Sequence, residues 1–177
     1  MSKMNTLGCP QPVTVDPSFK LMSKPELERL FKPFYLGLRP DARRVRFGYA
    51  LSDDALGRYC DRFLAGKALG FGCLAGTGLL ALVEFHPFGD KGELAFASAA
   101  GEDAPPLYRR LLLLAAAAAR GLGCRSLVVA PDLIDPQLPR LLREMGDLRR
   151  EPATGFLELS GFAQGETRFA AMQAAHA

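Results

Sequence analysis

Tryptophan is absent from this 177-residue chain, histidine occurs twice and cysteine four times. Without tryptophan and without aromatics interleaved among basic residues, there is no stacking platform for single-stranded nucleic acid. The cysteines, Cys9, Cys60, Cys73 and Cys124, stand far apart with no C-x-x-C pair, so ligand spacing for zinc is missing and no metal is expected. No secretory signal opens the sequence, and "TLGC" lacks the apolar run that a lipoprotein cleavage site needs. Cytoplasmic free thiols are therefore the expectation. "LLLLAAAAA" is nine apolar residues between Arg110 and Arg120, too short to span a bilayer, and reads as a buried helix. One-signed charge is also scarce. The net charge is +3, and the densest basic cluster is "RRVR" at 43–46. It reads either as a phosphate contact or as a solvated strand end, and neither a nucleic-acid nor a membrane partner is expected.

What is present suits one globular α/β domain over residues 13–160, with 1–12 as a loose lead-in containing Pro10 and Pro12 and 161–177 as an Ala-rich tail. "VTV" at 13–15 reads as a short strand. Ser23 and Glu26 make a capping box with Pro25 in the first turn, and Leu27, Leu30, Phe31 and Phe34 follow on one helical face, with Pro33 expected to stop the helix early. A second helix starts at Ser52, placing Leu56, Tyr59, Phe63 and Leu64 inward. "GFGCLAG", "GLLALVEFHPF" and "GELAFAS" form an antiparallel meander with glycine turns. A long helix runs from about Pro106 to Arg120 and stops at Gly121 and Gly123. "RSLVVAP" is a strand buried on both faces, Asp135 and Pro136 open another helix, and "TGFLELS" is the last strand. The order predicts a single mixed sheet, mostly antiparallel and locally parallel where a helix crosses over, flanked by about four helices.

That order resembles the GNAT superfamily of acyl-CoA-dependent N-acyltransferases. "LERLFKPFYLGLRPDARRVRF" is similar to the family's first helix and the basic segment after it. "GELAFASA" is similar to its fourth strand, and the stretch from Leu107 to Gly146 to its later helix, strand and helix. The resemblance implies an acyl donor, acetyl-CoA or another acyl-CoA, and as acceptor a small amine or a protein amine. Ala97, Ser98, Ala99, Asp103, Ala104, Leu107 and Tyr108 then occupy the donor-binding positions. The family's pyrophosphate loop, Q/R-x-x-G-x-G/A, is degenerate. Asp103 stands at the Gln/Arg position, Pro106 at the first Gly and Tyr108 at the second. A proline has no N–H to offer, Tyr108 places bulk where backbone should approach the ligand, and Glu102 and Asp103 add negative charge. "RGLG" at 120–123 imitates the motif but falls at a helix end, where glycine caps.

By the same resemblance Glu93 matches the glutamate that begins the fourth strand and can serve as base, while an exposed strand-end carboxylate is its plain structural reading. Glu84, inside "ALVEFHPF", is the candidate that the residues themselves suggest, because a carboxylate in an apolar strand has a raised pKa if it faces inward, while strand alternation equally allows it to face solvent. His86 is either an acid–base group or a turn residue. The thiolate-protonating tyrosine of many relatives aligns with Leu142, so that role is empty. Two functions are compatible with these residues: an N-acyltransferase, or a GNAT-like module that has lost CoA and serves as a protein-binding, structural or regulatory part, with a protein partner or a homodimer.

Overall fold

A computed structural model describes residues 16–100, 104–130 and 138–162. The chain opens with strand β1 (Ser18–Leu21) and three helices, α1 (Lys24–Gly37), α2 (Pro40–Phe47) and α3 (Asp53–Ala65). The meander follows as β2 (Leu69–Ala75), β3 (Gly78–Phe88) and β4 (Lys91–Ser98), then α4 (Ala104–Gly121), β5 (Ser126–Val129), α5 (Leu138–Met145), β6 (Asp147–Arg150) and β7 (Leu157–Ser160). The seven strands form one sheet in the order β1-β2-β3-β4-β5-β7-β6, and only the β4–β5 pair is parallel. The expected α/β domain with a mixed, mostly antiparallel sheet is what forms.

Strand alternation gives the sheet two apolar faces. Val83, Phe85, Leu94 and Phe96 point to the side covered by α4 and α5, where they meet Leu111, Leu112 and Leu142. Leu82 and Ala97 point the other way, into a second core with Phe31 and Phe34 of α1 and Leu56 and Phe63 of α3. There the rings of Phe31 and Phe63 stack at 4.1 Å between centroids. α4 ends as its glycines suggest, with Gly123 at φ 79° and its N–H donating to Arg120 O.

Three local expectations fail for physical reasons. Pro33 does not stop α1, which continues to Gly37 because Phe34 and Tyr35 are buried in the last turn, and that burial outweighs one missing hydrogen bond. "RRVRF" is helix α2 and not a strand end. Pro40 sits in its first turn, Gly48 closes it at φ 78°, and Arg44 and Arg46 lie in its last turn, where cations suit the dipole. The chain also adds β6 beside β7, a mostly exposed edge strand whose sequence, DLRR, carries no apolar alternation. The expected strand at 13–15, the helix opening at Asp135 and the tail from residue 163 lie outside the described residues.

Candidate functional site

β4 is hydrogen-bonded to β3 along its whole length, from Lys91 to Ser98, but its register with β5 covers only Lys91 to Leu94. Beyond Leu94 the two parallel strands part. The backbone of Ala95–Ser98 therefore has no strand partner on that side among the described residues. A cleft of about 390 Å³ opens at this end of β4. Phe96, Ala97, Ser98 and Ala99 form its floor, α2 supplies Ala42 and Val45, and Ala104 and Tyr108 of α4 close the far side. Of the seven expected donor-site residues, Ala97, Ser98, Ala99, Ala104 and Tyr108 thus come together, Leu107 does not line the cleft, and Asp103 lies outside the described residues.

The charged residues of this cleft are Arg39 and Asp41 at its α2 rim, both exposed and paired with each other at 3.0 Å. Ser98 Oγ donates to Leu80 O at 3.3 Å and accepts from Ala100 N–H at 2.9 Å, so its hydroxyl is engaged within the fold. Tyr108 is buried, with its ring edge-on to Phe96 at 5.3 Å. α4 begins at Ala104, so Pro105 and Pro106 remove two of the four N–H groups that a helix N-terminus normally leaves open. No basic residue stands in that first turn. Cleft and free strand edge suit an extended, mostly apolar chain with amide groups, such as a pantetheine arm, whereas the start of α4 is poor in donors for a diphosphate.

At the point where β4 and β5 part lies a recess of about 20 Å³, the size of one water, lined by Arg46, Glu93, Ala95 and Ala130 among others. Glu93 is exposed there. Glu84 is elsewhere than the recess: on β3, opposite Ala95, it is fully buried at the centre of a closed network. Its Oε1 accepts from Tyr35 OH, and its Oε2 accepts from Tyr59 OH, from Arg46 Nη2 at 3.1 Å and from His86 Nε2 at 3.1 Å. Arg46 Nε in turn donates to Tyr35 OH at 3.3 Å, and its guanidinium lies 4.6 Å over the Phe47 ring.

This overturns the raised pKa expected for an inward Glu84. Burial does push it up, but the Arg46 charge, helped by donors on His86, Tyr35 and Tyr59, outweighs burial and holds the carboxyl at about 2. Burial and the neighbouring Glu84 charge push both tyrosine hydroxyls up. An ionised carboxylate with four donors, cut off from solvent, is a weak base and a good anchor. It ties α1, α2 and α3 to the sheet and so sets how α2 stands over the cleft. His86 lies within β3, not in a turn, and directly faces Glu93 across the strands. Leu142 is buried in the α4-side core, so no hydroxyl occurs at that position. Sequence reasoning placed Tyr59 inward and noted the basic cluster at 43–46 but gave Tyr35, Arg46 and Tyr59 no part in a site, and the available signal was two tyrosines within apolar-patterned helices and an arginine in that cluster.

With this sheet order, a single parallel pair that opens midway and a helix after β4, the chain shares the fold of solved GNAT-domain structures. The GNAT domain of PAT from S. lividans superposes with a TM-score of 0.62 at 20% identity, over 80% of this chain and 87% of that one. A phosphinothricin acetyltransferase from Sinorhizobium meliloti, in complex with AcCoA, gives 0.59 at 12% over 81% and 88%. A GNAT family acetyltransferase from Brucella melitensis, in complex with acetyl-CoA, gives 0.58 at 15% over 83% and 89%. No protein-family model and no curated protein matches the sequence. At such identities the likeness establishes the fold. Among the described residues no helix is long and apolar enough to cross a membrane.

Proposed function

We propose that the domain, residues 13–160, is an N-acyltransferase that takes an acyl group from acyl-CoA and passes it to an amine. The observation that carries this reading is the β4 edge at Ala95–Ser98, which has no strand partner on the β5 side among the described residues and runs beside the 390 Å³ cleft. Backbone groups of that edge would hold the amides of the donor's arm, with Ala97, Ala99, Ala104 and Val45 around it. When bound, the donor supplies an activated thioester carbonyl. Glu93, exposed at the mouth of the recess, is the base for the acceptor ammonium, directly or through a water. Glu84 is assigned to positioning. Support for acceptance of an amine comes from the neighbours' acetyltransferase names and from the Glu93 carboxylate.

Thermal unfolding with CoA and acetyl-CoA tests the reading. Saturation at 100 times the dissociation constant stabilises by about 2.7 kcal/mol, which raises the midpoint of a domain this size by about 5–11 °C. No shift at millimolar concentration of either compound removes donor binding. The second reading, a GNAT-fold module without CoA that acts through a protein partner, would then stand. It is favoured by the two prolines opening α4 and by Tyr108 filling the space beside Phe96.

A further inference from the structure

A second cleft, of about 260 Å³, lies on the α3 side of the sheet and shares no lining residue with the cleft at the end of β4. Its wall is the last turn of α3 with the residues after it, and its floor includes the end of β3: Tyr59, Arg62, Phe63, Gly66, Lys67 and His86 line it. No carboxylate does. Arg62 and Lys67 are exposed and have no ion-pair partner among the described residues, unlike Lys32 of α1, which is bound to Asp61 of α3 at 3.3 Å. The His86 ring is held in place by its Nε2 bond to Glu84 at 3.1 Å and by an edge-on contact with Phe63 at 5.6 Å. Because Glu84 is ionised and can only accept, Nε2 carries a proton toward it. The volume equals that of about nine waters, enough for a phosphate or a small polycarboxylate.

We infer that this cleft binds a small anion, a phosphate or carboxylate compound, through Arg62 and Lys67 with His86 and the aromatic rings as its walls. Two cations without ion-pair partners among the described residues, side by side on one concave surface, attract such a ligand. An amine is disfavoured by the same charges, so the site is separate from any acceptor-amine site.

Thermal unfolding of the full chain with citrate and with inorganic phosphate tests it, each against sodium chloride of equal ionic strength. At ten times its dissociation constant either anion raises the midpoint by about 3–6 °C. Citrate alone acting identifies a carboxylate site, and phosphate alone a phosphate site. Arg62→Gln combined with Lys67→Gln abolishes the response without lowering the unliganded midpoint, whereas Arg44→Gln, on the exposed face of α2, retains it. Should the double variant fail to fold, Lys67→Glu alone reads the same loss. The anion site is overturned if chloride reproduces the shift, if neither anion produces one, or if the double variant responds as the parent does.

Discussion

Replacing Glu84 by glutamine removes a charge while keeping the shape, and the burial of its surroundings sets the cost. The carboxylate is 0% exposed and its partner Arg46 is 8% exposed. The variant therefore leaves a guanidinium buried without its counter-charge, which costs on the order of 3–5 kcal/mol. For a domain of this length that lowers the melting midpoint by roughly 6–20 °C. Arg46→Met costs a similar amount by stranding the carboxylate. The double variant leaves a neutral amide that still accepts from Tyr35 and Tyr59, so it costs less than the sum of the singles by about 2–3 kcal/mol. Urea unfolding followed by circular dichroism measures all four corners of the cycle. Acid adds an independent arm. Glu84 is held at about 2 against an ordinary 4.5, so its contribution is complete above pH 4.5 and is lost as the pH falls toward 2. Stability of the parent declines through that window, and the Glu84→Gln variant declines less. A single-variant cost below about 1 kcal/mol with additive effects, or parallel acid profiles, would refute the anchor and return Glu84 to the list of candidate bases.

Three further outcomes are expected. Gly146→Ala places a Cβ 2.4 Å from Ser160 O, a backbone atom that cannot rotate aside, so the variant loses several kcal/mol or fails to accumulate; tolerance without a shift in midpoint would mean that the α5–β6 corner is looser than described. Tyr108→Ala costs about 3–5 kcal/mol in stability, yet it enlarges the donor cleft and increases the stabilisation that CoA confers, whereas an unchanged CoA response would show that the ring is not an obstruction. Glu93→Gln leaves CoA binding and the midpoint as they were and lowers kcat by about 10²–10⁴-fold toward an amine acceptor, and an unaltered kcat would dismiss it as the base.

Much of the fold could be read from the residues because its elements carry local signals. The capping residues of α1, the meander glycines and the Leu-Ala face of α4 each select one conformation with little help from the rest of the chain. α2 escaped because Arg-Val-Arg-Phe alternates like a strand; Pro40 in its first turn and Gly48 at its end marked the helix instead. β6 has no apolar period, being exposed on an edge, and owes its conformation to pairing with β7. The site divides along the same line. Ala97, Ser98, Ala99, Ala104 and Tyr108 share a cleft because β4 leads directly into α4, which sequence order alone conveys. The meeting of Tyr35, Arg46, Tyr59 and Glu84 depends on three helices converging on one strand, with sequence separations of 38 and 49 between Glu84 and Arg46 or Tyr35. No local pattern encodes that, and it reversed the direction of the Glu84 pKa.

The cleft and the helix start bear unequally on donor binding, and the difference can be measured. The parting of β4 from β5 is set by sheet register and core packing, so it persists whatever the chain binds; donors at the start of α4 depend on the residues of its first turn, and two of them are proline. If the arm provides most of the recognition, pantetheine binds within about tenfold of CoA, a difference of about 1.4 kcal/mol, and the affinity changes little with salt because few phosphate contacts are made. Adenosine 3′,5′-diphosphate then competes poorly. Calorimetry with the three compounds at low and high ionic strength separates the cases. Strong, salt-sensitive binding of the nucleotide fragment with none of pantetheine would mean that charged side chains have replaced the missing backbone donors and that the strand edge is not where the donor is read.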